Sequence, residues 1–269
     1  MIQPIGFFDS GVGGLSVLKK AFEKIDAPMV YIGDTARMPY GVRPPEQVER
    51  YTIQCLGEIA KYHPQAAVIA CNTATAFALK KAREVFDFPI FGVIEPACRQ
   101  AADATKNKKV ALLATQGTVK SGSYETTIRA IDPAIEMVGV GAPELVVAIE
   151  HGHLDDETAE EIIRKYLEQF GSFDFDTLIL GCTHFPLAFP VFERIYPEGS
   201  GVTIVDPAAS TIDSIVGTVT SDTSSRGKVE FMATGDIAAF QEVAERFLDL
   251  SGNSVSFQNI VLENEEGKR

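Results

Sequence analysis

Two cysteines stand where apolar runs give way to polar residues. In "VIACNTATAF" (68–77) Cys71 precedes Asn72 and Thr73, and in "LILGCTHFPL" (178–187) Cys182 precedes Thr183 and His184. An arbitrary free cysteine is a small buried hydrophobe. Amide, hydroxyl and imidazole neighbours, however, are poor core formers and good ligand partners. A thiol just before a helix also meets the positive end of its dipole, which predicts a lowered pKa for Cys71. Two such thiols admit three chemistries. A redox pair needs S–S geometry, and no CxxC spacing supports one. A thiol hydrolase needs a nucleophile with its own base, which Cys182 and His184 could supply while leaving Cys71 unused. Acid/base work across one carbon uses both thiols: one takes a proton and the other returns one to the opposite face. Cys55, on the apolar stripe of a helical stretch, and Cys98 in "PACRQAA" are read as core.

The elements that must position these thiols alternate between strand-like and helical patterns, so the chain reads as α/β with mainly parallel sheets. Strands are expected at 5–8, 29–34, 66–70 and 89–94, with helices at 15–25, 46–63 and after Cys71. A second series opens with a strand at 109–114, a polar loop "TQGTVKSGS" and a helix "YETTIRAI". It continues with helices at 144–152 and 157–170 and a strand at 177–181 that delivers Cys182. A further strand is expected at 203–208 and a turn at 221–228, after which "VEFMATGD" and "IAAFQEVAERFLDL" pack back on the first half. Strand, Gly-containing loop and helix open both halves, and strand, cysteine and polar pair follow in both. The pattern implies two similar α/β domains related by a pseudo-twofold axis with a site in the cleft between them. The expected division is 1–94 plus 208–262, 95–207, and a frayed tail at 263–269. In open parallel sheets ligands bind beyond the carboxyl ends of strands, where Asp9, Ser10, Cys71, Thr115 and Cys182 fall.

The 269 residues carry a formal net charge of −13, which argues against nucleic acid or an anionic membrane as the main partner. No 18-residue apolar run or signal segment occurs, so a cytoplasmic protein is expected. The four histidines and four cysteines lack zinc-ligand spacing, and no metal site is expected. The loop "GVGGLS", with Asp34 twenty residues after Gly14, resembles a dinucleotide fingerprint, but Ser16 occupies its third glycine position. Asp9 could also merely cap the helix that follows this loop.

Taken in order, "FDSGVGGLSV", "GDTARMPYG", "ACNTAT", "GVIEPA" and "LGCTHFPL" resemble the glutamate branch of the cofactor-independent aspartate/glutamate racemase family across nearly the whole chain. That resemblance implies Cys71 and Cys182 as the two acid/base residues, Cys71 acting on D-glutamate and Cys182 on L-glutamate. Asp9 would assist Cys71, and His184 with Glu150 would assist Cys182. Substrate contacts would come from Asp9, Ser10, Tyr40, Gly41, Asn72, Thr73, Thr115, Thr118 and Thr183, together with the two cysteines and His184. It further implies no cofactor, a small-molecule substrate, a homodimer, and D-glutamate supply for peptidoglycan. Aspartate racemase stays open as the near alternative. A non-catalytic amino-acid- or nucleotide-binding protein is the alternative from another class.

Overall fold

The computed structural model describes residues 2–223 and 227–262; the tail at 263–269 and the centre of the expected turn at 221–228 lie outside the described residues. Five parallel strands come from the first third and the end of the chain: β1 (Ile5–Asp9), β2 (Met29–Gly33), β3 (Ala66–Ile69), β9 (Lys228–Ala233) and β10 (Ser254–Asn259). With β4 (Ile90–Gly92) they form a six-stranded sheet in the order β10-β9-β2-β1-β3-β4. A second, four-stranded sheet runs β6-β5-β7-β8, from β5 (Lys109–Ala114), β6 (Glu136–Gly141), β7 (Thr177–Gly181) and β8 (Thr203–Val205). Every strand pair is parallel. The order β6-β5-β7-β8 repeats β2-β1-β3-β4, so β1 corresponds to β5 and β3 to β7. The two cysteine-bearing strands thus occupy equivalent places.

Helices cover the sheet faces, which is why β1, β2, β3 and β7 are buried along their whole length and read as unbroken apolar runs. In the first half α1 (Leu15–Lys24), α2 (Pro45–Ala60) and α3 (Asn72–Val85) follow their strands as expected. The patterns at 144–152 and 157–170 become α7 (Pro143–Glu150) and α8 (Glu157–Leu167). The C-terminal segment adds β9 beside β2 and α11 (Ile237–Phe247), with the rings of Phe231 and Phe240 packed at a tilt around Tyr31 in the first-half core.

Several elements differ from expectation. The supposed loop after β5 contains α5 (Gln116–Ser121), which Thr115 caps by accepting the Thr118 N–H, and α6 (Ser123–Ile131) begins directly after Gly122. The strand expected to reach residue 94 stops at Gly92, and 94–104 turn into α4 (Ile94–Ala104), whose face of Ile94, Ala97, Cys98 and Ala101 is buried. The strand expected at 203–208 ends at Val205 because Asp206 caps α10 (Pro207–Val216), with Pro207 at its first turn. Strand β6 and strand β10 were not anticipated. Each is an edge strand with alternating or exposed residues, a weaker signal than an internal strand. The helix α9 (Phe189–Ile195) was likewise missed.

Candidate active site

The loops beyond β1, β3, β5 and β7 converge. Cys71 is the N-cap of α3: its thiol lies 3.5 Å from Ser10 Oγ and accepts the Ala74 N–H at 3.5 Å. Beyond β7, Cys182 Sγ lies 3.7 Å from His184 Nδ1, and the imidazole Nε2 is 3.3 Å from Glu150 Oε1. That second contact is within ion-pair range but makes no hydrogen bond. Asp9, fully buried, accepts the Gly11 N–H at 2.8 Å and the Thr183 hydroxyl at 3.1 Å, so one carboxylate ties the first half to the second. It is not the N-cap of α1, which begins at Leu15 with Gly14 in the capping position.

Three hydroxyls make a second link. Thr73 lies 2.9 Å from Thr115 and 3.2 Å from Thr118, and Thr115 and Thr118 are 2.9 Å apart. Each such bond contributes on the order of 1 kcal/mol, and together they fix donors that can turn towards an anion.

Eleven of the expected residues line one cavity of about 120 Å³: Ser10, Tyr40, Gly41, Cys71, Asn72, Thr73, Thr115, Glu150, Cys182, Thr183 and His184. At about 30 Å³ per water that is space for roughly four waters, the scale of a small amino-acid ligand rather than a nucleotide. Asp9 and Thr118 stand behind the wall, touching it through Thr183 and through Thr73 and Thr115. Tyr40 contributes its ring, because its hydroxyl is donated to Asp34. Cys55 and Cys98 are fully buried away from this cavity.

Met38, Pro39, Val42, Gln116, Pro143, Val146 and Val147 complete the lining and were not anticipated. A signal existed for three of them: Pro143, Val146 and Val147 precede Glu150 at helical spacing, so α7 turns one face to the cavity. The dinucleotide alternative fails on Asp34. Its fully buried carboxylate is occupied by Arg37 Nε at 2.7 and 2.9 Å, the Thr234 hydroxyl at 2.7 Å and the Tyr40 hydroxyl, leaving nothing for a ribose.

A protein-family model described as Asp/Glu/Hydantoin racemase matches residues 9–215. The chain belongs to that family. A glutamate racemase from Enterococcus faecalis is 39% identical over 258 residues, covering 92% of this chain and 93% of its own. The structure of a glutamate racemase from Bacillus anthracis superposes with a TM-score of 0.89 at 31% identity, covering 97% of this chain and 99% of its own. That of a glutamate racemase from Francisella tularensis, in complex with D-glutamate, gives 0.85 at 26% identity, covering 97% of each chain. The expected membership and the two-domain α/β fold therefore hold. No helix among the described residues is long and apolar enough to cross a membrane.

In this family member the electrostatics of the cavity differ from the sequence expectation. Burial, reinforced by the Asp9 carboxylate, pushes the Cys71 thiol up to about 12, while Ser10 and the Ala74 N–H pull the other way. The helix end acts in the expected direction but loses, because desolvating a thiolate costs more than one N–H returns. Burial also raises the Asp9 carboxyl, against His184, Gly11 and Thr183. For His184 burial works downward, yet Cys182, Glu150 and Asp9 together carry the imidazole well above its ordinary value. The shift favours the protonated ring, the form that can donate towards Cys182.

Glycine at position 13 is required by close approach. A Cβ there would lie 2.5 Å from Thr183 Oγ1 and 2.9 Å from His184 Nδ1. Gly13→Ala is expected to cost about 1–3 kcal/mol of stability through overpacking. Because the displaced groups are Thr183 and His184, turnover should fall more than stability does. Urea unfolding and steady-state rates on the same preparation check this, and unchanged turnover in the variant would show that the contact is inconsequential.

Proposed function

We propose that this chain interconverts L- and D-glutamate by direct proton transfer between two cysteines, without cofactor. One observation carries the reading: equivalent strands of two like sheets deliver Cys71 and Cys182 to a single cavity of amino-acid size. In the D-to-L direction the Cys71 thiolate takes the α-proton, leaving a carbanion whose charge spreads onto the α-carboxylate. The Cys182 thiol then gives its proton to the opposite face. The products are L-glutamate, Cys71 thiol and Cys182 thiolate, and the reverse reaction restores the starting state.

Asp9 and Ser10 support Cys71, and His184 with Glu150 supports Cys182. A protonated His184 would stabilise the thiolate that forms beside it. Cys71 must lose its proton from a raised starting point. A substrate ammonium held near Asp9 supplies the compensating positive charge, which favours the thiolate. The threonine hydroxyls, Ser10, Asn72 and the loop around Tyr40 and Gly41 offer neutral donors to the two carboxylates, which is how an acidic protein can hold a ligand with a net negative charge.

The same reading takes residues 1–94 with 208–262 and residues 95–207 as its two domains. It also includes a cytoplasmic homodimer supplying D-glutamate for peptidoglycan. Two alternatives remain to be separated from it, aspartate as substrate and ligand binding without turnover.

Incubation with L-glutamate in D2O, with no added cofactor, is expected to bring optical rotation to zero as deuterium replaces the α-proton. D-glutamate and both aspartates run alongside assign the substrate. Faster exchange of aspartate would transfer the activity to that amino acid, and binding without exchange would favour the binding protein.

A further inference from the structure

Tyr124, in the first turn of α6, is fully buried among Ile94, Ala97, Cys98 and Ala101 of the second-half core, yet its hydroxyl leaves that core. It donates at 2.6 Å to Oδ1 of Asn72, which belongs to α3 of the other half and lines the cavity. Asn72 is itself only 2% exposed, and its Nδ2 is buried with no acceptor among the described residues. A buried amide donor left unpaired is destabilising, because it has given up water without gaining a partner. An amide free to rotate would reduce that cost by seeking another partner. The tyrosine prevents this: with Oδ1 held, the amide plane is set and the Nδ2 end is presented to whatever enters.

We infer that Tyr124 is a positioning residue: through Asn72 Oδ1 it aims the unpaired Nδ2–H at a carboxylate of the amino-acid ligand. Resting on the racemase reading above, this deepens it by adding a residue outside the cavity wall to the machinery of recognition. The neighbourhood agrees. Asn72 directly follows Cys71 and lines the same cavity as Cys182 and Thr183, so it belongs to the wall around the place where both thiols would meet the reacting carbon. The link also crosses between the two halves, so an aligned amide requires both halves in place. The ordinary explanation of such a bond is that a buried tyrosine hydroxyl simply takes the nearest acceptor. That accounts for Tyr124 but leaves the orphaned Nδ2 without a reason.

Tyr124→Phe keeps the ring and removes only the hydroxyl. It is expected to raise KM for both enantiomers about 5- to 10-fold, the worth of one oriented hydrogen bond to a charged group, with kcat changed less than threefold. The midpoint of thermal unfolding should move by only a few degrees. The decisive comparison is a double-mutant cycle with Asn72→Ala. If the hydroxyl acts only through the amide, adding Tyr124→Phe to Asn72→Ala produces no further rise in KM. A KM unchanged in Tyr124→Phe, or an equal and additive rise in the Asn72→Ala background, overturns the assignment and returns Tyr124 to the core. Wild-type protein that turns over glutamate while either of those results is found leaves the racemase reading intact. Wild-type protein that turns over no glutamate overturns that reading and the assignment with it.

Discussion

Cys71→Ser and Cys182→Ser are each expected to lower glutamate racemisation by about 10³-fold or more, with the fold unchanged. A serine hydroxyl has the same reach but is far too weak an acid to become the base, so the loss is that of one general acid/base group. Serine is close in volume to cysteine, so both variants should unfold at nearly the wild-type midpoint. The two losses should differ in what they leave behind. In Cys71→Ser the Cys182–His184 pair survives, and slow exchange of the α-proton of L-glutamate with D2O should persist without inversion. In Cys182→Ser the residual exchange should fall on D-glutamate. Chiral separation of the amino acid, combined with proton NMR, reads both quantities in one sample. Full racemisation by either variant would remove that thiol from the proposed chemistry.

Alkaline pH is expected to destabilise the fold steeply between about pH 9 and pH 12. Burial pushes Cys71 and Cys98 up to about 12 from a thiol value of 9.0, and raises Cys55 well above that reference. A group whose pKa is raised on folding contributes stability that is fully present below the unfolded pKa. That stability is lost as pH rises through the folded pKa. The unfolded chain releases these protons first, and the folded protein must either hold them or break open. At about 1.4 kcal/mol per unit, Cys71 and Cys98 each forfeit roughly 4 kcal/mol across the window. Asp9 and His184, also raised, add the same sign at lower pH. Urea midpoints at pH 7.5, 9 and 10.5 should fall progressively, and Cys98→Ser should flatten the decline. A midpoint independent of pH up to 10.5 would show that these thiols ionise without cost in the folded state.

Much of the candidate site stood out because its residues violate the pattern around them. A thiol, an amide and hydroxyls at the end of an apolar strand are costly choices for a core, and Cys71, Asn72, Thr73, Cys182 and Thr183 stand out for that reason. The buried internal strands were equally legible, since β1, β3, β5 and β7 are covered on both faces and their apolar runs are unbroken. Edge strands were not. β6 and β10 expose alternate or most residues, and their pairing is decided by neighbours distant in sequence. α5 was hidden by its polar, Gly-containing composition and forms because Thr115 caps it and because Gly117 packs against the backbone of Gly41 from the other half.

The sequence by itself determined the class of fold, the duplicated order of elements and the two thiols, because each is written in local periodicity or in residue type. Only the tertiary structure decided how those thiols behave. Cys71 sits at a helix N-terminus as its neighbours imply, but the pKa it adopts depends on burial and on Asp9, sixty-two positions away. Burial pulls His184 down, but Cys182, Glu150 and Asp9 together raise its imidazole above the ordinary value. Asn72 acquires a fixed orientation from Tyr124, which nothing in either local sequence connects to it. Desolvation and charge act through space, and the two halves place their contributions in one cavity only once both sheets have formed.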